Sequence, residues 1–526
     1  MTDPTSTLRL DRLTYGAKQS DVEFFEKSGK KQWLAEQLHP PLAIEPDIQR
    51  RLDQTVLRIS YGKSDDYAAV NENRPLTLLS KPLEDLWKLM DTPKIAYAEK
   101  VRPIEELKAY RLIAAAHSKY QVKELMVDFW LNHFNVHAGD LGIAVSMPTF
   151  ERDCIRRHAL GNFHDLLESV ATSTPMLIYL NNRNSRTGAP NENFARELFE
   201  LHTMGQDNYL NDLYSKWRQV PGAESGNPTG YIDQDVYEAA RAFTGWMIED
   251  GRGLGGGVNL PKTGKFKYLE SWHDPYQKRI LAQEFEPFGP AMSDGKKVLE
   301  LLSNHAATAK HLCEKLCKRF VSDEPSKELI QSSAKVWLQN VKSKDQIAIV
   351  LTHIFESSEF DSSLMPGAAK KLKRPLELAM SFVRKLDLPF TPSMGLINAV
   401  SDAGQRLYYW PTPDGYPDYT GFWLTTQTMR RRWMLPMGLI ENWWGTGSVS
   451  PEHLSAGFNI PVEENALMRV RASQLLGEQK GLEVLATIAK TEDIPSQRVL
   501  GAENNEWNLL KRNLAYLGMS PAFQWR

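Results

Sequence analysis

Groups able to transfer protons or bind a metal are concentrated in residues 191–205 of this 526-residue chain. Pro190 and Gly205 flank the run and predict the start and end of one short helix. Carboxylate and imidazole groups on one helix face suit acid–base catalysis or metal binding. The sequence therefore predicts a cleft lined by this helix, with Glu197 as general base or metal ligand. The polar and ionisable members are Asn191, Glu192, Asn193, Arg196, Glu197, Glu200 and His202.

The helix also has an alternative interpretation, a solvated amphipathic helix with an ion pair between Arg196 and Glu200. Its two faces differ, since Phe194, Leu198 and Leu201 lie opposite Asn193, Glu197 and Glu200 at helical spacing. The preceding residues 166–180, LLESVATSTPMLIYL, are too apolar for a surface segment. We therefore expect this preceding run to be buried and the polar face to project from it into a cleft.

Histidines in distant segments supply further candidate groups. His133 and His137 are four residues apart, a spacing that two metal ligands on one helix share. His273 precedes Asp274, a carboxylate that could orient the imidazole, and His305 precedes a predicted helix. Each histidine alone is more typical of a structural hydrogen bond or a helix cap.

Taken together, these groups predict one metal site and one set of catalytic residues. The predicted metal ligands are His133, Glu197, His202 and His273, which would suit Zn, Mn or Fe. The predicted catalytic residues are Glu197, Arg196, His273 and Asp274. The Glu-x2-His spacing of helical di-iron sites is absent around Glu197, which counts against a di-iron centre.

Aromatic residues in a Pro- and Gly-rich stretch near residues 405–423 could contact a substrate. We expect Trp410 and Tyr416 to offer stacking surfaces, and Asn191 and Asn193 to bind substrate by hydrogen bonds. The leading hypothesis is a metal-assisted hydrolase or oxidoreductase acting on a small or saccharide-like substrate. The competing hypothesis is a non-catalytic helical binding or assembly protein, in which the polar helix is a buried network that fixes helix register.

Several other functions are not indicated. The glycine run at residues 251–257 follows no nucleotide-binding strand and lacks the Lys-Ser/Thr of a phosphate loop, so no nucleotide cofactor is expected. No Gly-x-Ser-x-Gly motif of an esterase occurs. A net charge of −2 gives no electrostatic reason to expect nucleic acid.

Helical periodicity dominates the chain and predicts a mainly α fold. We expect a large helical body, a small β-hairpin within residues 251–272 turning at Thr263 and Gly264, and the aromatic loop. Residues 46–120 read as helical, and one long helix is predicted over 94–129. Three parts are predicted: an N-terminal helical region at 1–120, a core with the candidate site at 121–385, and the aromatic loop and helices at 386–526. Trp433, Trp443 and Trp444 are expected in the core.

Three blocks give the sequence a family resemblance: residues 159–182 (ALGNFHDLLESVATSTPMLIYLNN), 188–205 (GAPNENFARELFELHTMG) and 235–246 (DVYEAARAFTGW). With FWLNHF, WHDPYQK, NHAATAKHLCEKLCKRFV, KRPLE and SPAFQWR in the same order, the chain resembles the bacterial domain-of-unknown-function 1800 family. The resemblance implies a largely helical fold and no established activity. It also implies a protein partner, since members are often encoded beside an uncharacterised family resembling sulfatases and phosphatases.

The cysteine content and the hydropathy of the sequence bear on the cellular compartment of the protein. The three cysteines form no disulfide framework, and Cys313 and Cys317, one helical turn apart, are expected to pack as small apolar groups. No apolar run of about 18 residues predicts a membrane span. As written, the chain is expected to be cytoplasmic, or exported if a leader has been removed, because many members of the resembled family carry export signals.

Overall fold

The architecture comes from a computed structural model, which describes residues 4–255, 257–365, 367–368, 370–492, 498–501 and 504–526. Residues 1–3 and Gly256 of the glycine run lie outside this description, as do the side chains of 91, 492 and 504–506. The protein is 58% helical, which confirms the mainly α prediction. None of the described helices is both long and apolar enough to cross a membrane.

Helices account for most of the described chain. The α-helices, in chain order, are α1 (Pro4–Leu13), α2 (Gln19–Leu38), α3 (Pro46–Gln54), α4 (Leu83–Asp91), α5 (Tyr97–Lys100), α6 (Arg102–His117), α7 (Gln121–His133), α8 (Leu141–Thr149), α9 (Phe163–Ala171), α10 (Thr174–Tyr179), α11 (Glu192–Glu197), α12 (Asp233–Ala242), α13 (Ser293–Ser303), α14 (Ala306–Phe320), α15 (Lys327–Gln339), α16 (Gln346–Phe355), α17 (Ser358–Ser363), α18 (Pro375–Lys385), α19 (Met394–Asp402), α20 (Thr420–Trp423), α21 (Thr426–Ile440), α22 (Pro451–Leu454), α23 (Glu464–Leu476), α24 (Glu478–Glu492), α25 (Asn504–Met519) and α26 (Pro521–Gln524). Two π-helical segments, Phe150–Arg156 and Leu198–His202, continue α8 and α11. Short 3₁₀ turns cover Asn182–Asn184, Gln206–Asn208, Asn211–Leu213, Trp217–Gln219, Ala223–Ser225 and Glu270–Trp272.

The strands form small antiparallel pairs. They are β1 (Val56–Tyr61), β2 (Val70–Pro75), β3 (Trp246–Asp250), β4 (Gly253–Gly255), β5 (Val258–Asn259), β6 (Lys262–Tyr268), β7 (Lys278–Ile280), β8 (Gln283–Phe285), β9 (Val462–Glu463) and β10 (Val499–Leu500). The pairs are β1 with β2, β3 with β6, β4 with β5, β7 with β8, and β9 with β10. Each described sheet has two strands.

The predicted hairpin is present, but its predicted turn is wrong. β3 pairs with β6 from Trp246 opposite Tyr268, so Thr263 and Gly264 lie inside a strand. Gly264 has a φ of +70°, and a Cβ there would come within 2.4 Å of the Trp87 ring. This glycine therefore permits close packing of a strand against an aromatic side chain, and does not mark a turn.

The N-terminal third is less helical than its sequence suggests. β1 and β2 form a hairpin within residues 46–120, which were predicted to be helical throughout. The single helix predicted over 94–129 is instead α5, α6 and part of α7. Alternation of buried and exposed residues along β1 is the strand pattern that the helical interpretation overlooked.

One hydrophobic core joins the N-terminal, central and C-terminal regions. It includes Leu10 of α1, Leu177 of α10 and Phe523 of α26. The division at 120 and 385 stays a prediction, since all three proposed parts contribute to this core.

Burial confirms two sequence predictions. The apolar run at 166–180 is buried, and Met176 and Leu177 are both fully inaccessible. Cys313 and Cys317 are buried in the same core as free thiols, as expected for small apolar groups.

The tryptophan prediction is wrong in part. Trp433 is 42% exposed and Trp443 is 53% exposed, so neither is a core residue. Trp444 is half-buried and packs against the core. Tryptophan content alone does not distinguish core from surface, because a large amphipathic ring is often only partly buried.

We expect Leu177→Asp to unfold the protein or to lower its free energy of unfolding by about 4 kcal/mol, because it places an unpaired charge in the core. Thermal unfolding checks this change. Leu42→Asp is the matched control, since Leu42 is 71% exposed. A Leu177→Asp protein that melts like wild type would contradict the core assignment.

Candidate functional site

The predicted polar helix exists as two joined segments. Asn191 caps α11, since its Oδ1 accepts a hydrogen bond from the Asn193 amide at 2.9 Å. The chain then widens into the π-helix that ends at His202. π-Segments of this kind are frequent at functional sites. Glu197 is half-buried at the junction, whereas His202 is buried.

Arg196 joins this helix to α12. Its Nη2 lies 3.1 Å from Asp233 Oδ1 and 3.7 Å from Glu192 Oε2. The Tyr209 hydroxyl donates to the other oxygen of Asp233 at 2.8 Å. The Arg196 to Glu200 ion pair of the solvated-helix interpretation does not occur among these described contacts. These contacts are those of a structural anchor.

The two asparagines predicted to bind substrate contact the backbone in this conformation. The side-chain amide of Asn191 donates to the Asn181 backbone carbonyl at 3.3 Å. The side-chain amide of Asn193 donates to the Leu180 backbone carbonyl at 3.5 Å. Both contacts attach α11 to the end of the buried run at 166–180. Asn193 is exposed, so its amide remains accessible from solvent.

Glu197 differs electrostatically from an ordinary surface carboxylate. Burial, together with the nearby carboxylates of Glu200 and Asp414, raises its pKa from 4.5 to about 7, while Arg196 opposes the shift. No ion pair or hydrogen bond to the Glu197 carboxylate is found within the described part of the chain. A carboxyl group that titrates near neutrality and has no structural partner is suited to donate and accept protons.

The aromatic loop contacts the end of α10 and acts electrostatically on the Glu197 carboxyl group. The Tyr179 hydroxyl, at the end of α10, donates to the Pro411 carbonyl at 2.8 Å. The carboxylates of Glu197 and Asp414 both contribute to raising the pKa of Tyr179, after burial. A residue of the loop and a residue of the polar helix therefore act on the same phenol.

Two amide side chains near the end of α7 hold the loop. Asn132 donates to the Tyr416 carbonyl at 2.9 Å and accepts from the Tyr416 amide at 2.7 Å. Asn135 donates to the carbonyls of Trp410 and Thr412 at 3.0 and 2.7 Å. Gly415 is needed here, since a Cβ would lie 2.1 Å from the Asn132 carbonyl oxygen.

The predicted stacking residues lie together. The ring centroids of Trp410 and Tyr416 are 4.4 Å apart, and both side chains are half-buried. Asp414 lies beside them, because its Oδ1 accepts from the Trp410 indole at 3.1 Å and from the Thr412 hydroxyl at 2.6 Å. The loop thus combines an aromatic surface with an acidic group.

Three imidazoles, those of His133, His202 and His311, form a cluster with Lys315 at the π-helix Leu198–His202. His133 lies 6.0 Å from His202 and 6.5 Å from His311 between ring centroids. Lys315 Nζ lies 2.9 Å from His133 Nδ1, and His133 Nε2 lies 3.1 Å from the His202 carbonyl oxygen. Lys315 therefore donates to Nδ1 of a neutral His133, whose Nε2–H donates to the carbonyl; this tautomer follows from the hydrogen bonds.

Burial keeps the cluster uncharged except at the lysine. Burial and then the Lys315 ammonium lower the pKa of His202 to about 3 and that of His311 to about 4. Burial lowers the pKa of Lys315 to about 8, while Asp418 and Asp414 oppose this shift. The charge of Asp414, in the aromatic loop, thus acts on both Lys315 and Glu197.

His273 and Asp274 belong to a different cluster. Asp274 receives two hydrogen bonds from Arg241 at 2.9 Å each. His273 Nδ1 contacts the Thr244 carbonyl at 3.1 Å, and its Nε2 lies 3.4 Å from Asp294. The structure thus brings His133 and His202 together but places His273 with another set of partners.

The other singled-out histidines have structural contacts. His137 lies beyond the end of α7, so it does not share a helix face with His133. Its Nδ1 accepts from the Gly139 amide at 3.3 Å. His305 caps α14 by accepting from the Ala307 amide at 3.1 Å.

Metal binding by the predicted ligands stays a prediction. In the part of the chain that the structure describes, no three His, Cys, Asp or Glu side chains are grouped to hold a metal ion. Both ring nitrogens of His133 have other partners. His202 Nε2 is buried and, among described groups, lacks a hydrogen-bond partner, so it is the ring nitrogen free to bind a ligand.

Sequence reasoning missed Tyr179, His311, Lys315 and Asp414. His311 and Lys315 lie four residues apart in NHAATAKHLCEKLCKRFV, a spacing that places them on one face of α14. That signal was present in the sequence. Nothing local indicates that Lys315 meets His133, which lies 182 residues away in the chain.

Comparison with known families identifies the chain. A family model described as "Protein of unknown function (DUF1800)" matches residues 9–525, and the chain therefore belongs to this family. The comparisons with curated proteins and with solved structures found no match. The family resemblance expected from the sequence is confirmed.

We expect Glu197→Gln to raise the melting temperature near pH 8 and to leave it unchanged near pH 4. The folded-state pKa of about 7 lies above the ordinary value of 4.5, so the wild-type protein loses stability as pH rises between these values. Glutamine stays uncharged and avoids this loss. Thermal unfolding at the two pH values measures the difference.

Asp233→Asn is the control for a structural carboxylate. It weakens the contacts to Arg196 and Tyr209 and should cost about 1 kcal/mol at pH 8. Destabilisation of Glu197→Gln at pH 8 would show that Glu197 is itself structural.

Proposed function

We propose that this member of the DUF1800 family is an enzyme that uses general acid–base catalysis on a small or saccharide-like substrate. The reaction class that fits best is hydrolysis. The observation that carries the proposal is the half-buried Glu197 carboxyl group, whose pKa of about 7 lets it donate and accept a proton at neutral pH. Such matching of a catalytic pKa to the working pH is typical of active sites.

The aromatic loop supplies the substrate-binding part of the proposal. A sugar ring or another flat apolar face stacks on Trp410 and Tyr416, whose rings lie together beside Asp414. The amide of Asn193, exposed at the start of the polar helix, is available to a substrate hydroxyl. The Asn191 side chain caps the N-terminal end of α11 and so holds that end of the helix.

Lys315 supplies positive charge in the same region. Its ammonium has no carboxylate within ion-pairing distance among the described residues and donates to a neutral imidazole. A cation placed in a low-dielectric environment stabilises negative charge that develops in a transition state. We assign Lys315 this electrostatic role and His133 the role of positioning it.

We assign Arg196, His273 and Asp274 positioning roles in the proposal. Arg196 holds α11 to α12 through Asp233, and Asp274 holds Arg241. These residues position the elements around the cleft and do not contact the reacting atoms. The proposed chemistry therefore rests on Glu197, with Lys315 as the electrostatic group.

The proposal predicts that hydrolysis of 4-nitrophenyl glycosides, tested as a panel, has a kcat/KM that depends on an ionisation near pH 7. Glu197→Gln should lower kcat/KM by about 100-fold or more, as expected for loss of a general acid or base. Glu192→Gln is the matched control, since Glu192 is exposed on the same helix.

Equal activity in the Glu197→Gln and Glu192→Gln proteins would contradict the proposal. Absence of turnover across the panel by a folded protein would favour the alternative, a non-catalytic binding or assembly protein. In that alternative the contacts of Arg196 with Asp233 fix helix register, and a partner protein would carry the activity.

Metal analysis of protein purified without an affinity tag tests the metal hypothesis separately. If Zn, Mn or Fe binds at His133, Glu197 or His202, we expect stoichiometric metal that is lost in Glu197→Gln. A metal-free wild-type protein that still turns over substrate would leave the acid–base proposal intact and remove the metal from it.

A further inference from the structure

A small cavity lies beneath the aromatic loop, apart from the Glu197 carboxyl group. Its volume is about 50 Å³. The polar side chains on its wall include those of Arg111, Asp128, Asn132, Arg374, Gln405 and Tyr416. It shares Asn132 and Tyr416 with the contacts that hold the loop.

Guanidinium groups outnumber carboxylates on this wall. Arg111 Nη2 lies 2.8 Å from one oxygen of Asp128, and Arg374 Nη1 lies 3.4 Å from the other oxygen. A third guanidinium, that of Arg319, lies 3.7 Å from the same carboxylate. The two oxygens of Asp128 are therefore already engaged by three arginines, of which Arg319 is also paired with Glu377 and Arg374 with Asp418.

Two buried guanidinium donors on the wall lack partners within the described part of the chain. Arg111 Nη1 and Arg374 Nε are buried without a hydrogen-bond partner among the described groups. Gln405 is buried, and its Oε1 accepts from the Leu376 amide at 2.9 Å, but its amide nitrogen has no described partner either. Buried donors left unsatisfied are costly, so such groups indicate an absent ligand or water.

Neighbouring acids do not satisfy these donors. Asp418 lies 3.2 Å from Arg374 Nη2, and the charge of Glu151 acts on Arg111. Glu151 is itself paired with Arg156 at 2.8 Å. Neither acid hydrogen-bonds to Arg111 Nη1 or Arg374 Nε. The cavity wall therefore offers hydrogen-bond donors from the guanidinium groups of Arg111 and Arg374 and from the Gln405 amide. Both oxygens of its carboxylate, Asp128, are already paired.

We propose that this cavity binds an oxyanion, either a free sulfate- or phosphate-sized ion or the anionic group of an organic ligand. Guanidinium donors match the geometry of carboxylate, sulfate and phosphate oxygens. The bound anion accepts from Arg111, Arg374 and Gln405 and lies under the loop that carries Tyr416. This binding site is independent of proton transfer at Glu197.

The test measures the melting temperature of the full chain in sulfate, phosphate, acetate and chloride at up to about 10 mM and constant ionic strength. This range lies below the concentrations at which excluded salts stabilise proteins generally. We expect sulfate or phosphate to raise the melting temperature by about 2 °C along a saturable curve. A response to acetate alone identifies a carboxylate group as the natural anion.

Gln405→Glu gives the site its own carboxylate. One oxygen can keep the hydrogen bond from Leu376, and the other replaces the amide nitrogen among the cavity donors. We expect the variant to melt at or above the wild-type temperature and to lose the anion response. Gln346→Glu is the matched control, since Gln346 is buried with both amide atoms bonded, to Phe163 and Trp337. It should melt lower and keep the response.

Three results would overturn the proposal. If the wild-type melting temperature is unchanged by all four anions, or rises equally with each, the cavity does not bind an oxyanion selectively. Retention of the anion response in Gln405→Glu places the binding elsewhere. A loss of stability in Gln405→Glu as large as in Gln346→Glu means that water fills the cavity.

Discussion

The two hydrogen bonds between Asn132 and the Tyr416 backbone are the contact on which the candidate site depends. One amide side chain satisfies both the carbonyl and the amide of a loop residue, at 2.9 and 2.7 Å. Asn132 adjoins His133 at the end of α7, so the same helix end carries the imidazole cluster and holds the aromatic loop. Together with the Asn135 contacts to Trp410 and Thr412, this contact fixes the loop segment that carries Asp414.

Structural and chemical roles are divided along the polar helix. Arg196 forms an ion pair with Asp233 and anchors the helix to α12. Its neighbour Glu197 has no described partner and a pKa near neutrality, because burial and the charges of Glu200 and Asp414 outweigh the opposing charge of Arg196. A half-buried carboxyl group without a paired cation lowers the free energy of unfolding when it is ionised. Such a local loss of stability is common at functional groups.

Sequence reasoning could reach the fold and the polar helix, because both depend on local patterns. Periodicity predicted the mainly α architecture, and the apolar run around Leu177 correctly predicted buried scaffolding. The hairpin turn at Gly264 was predicted wrongly, because a glycine required by the packing of Trp87 resembles a turn glycine. The contact between Lys315 and His133 depends on tertiary packing of α7 with α14, and no spacing within the sequence encodes it.

The central claim is that Glu197 titrates near pH 7 in the folded protein. Infrared or ¹³C-carboxyl titration of wild type, with the Glu197→Gln spectrum subtracted, isolates this one group. The structure predicts a midpoint at about pH 7. A midpoint at the ordinary value of about 4.5 would show that the carboxyl group is solvated and would remove the basis for acid–base catalysis at this site.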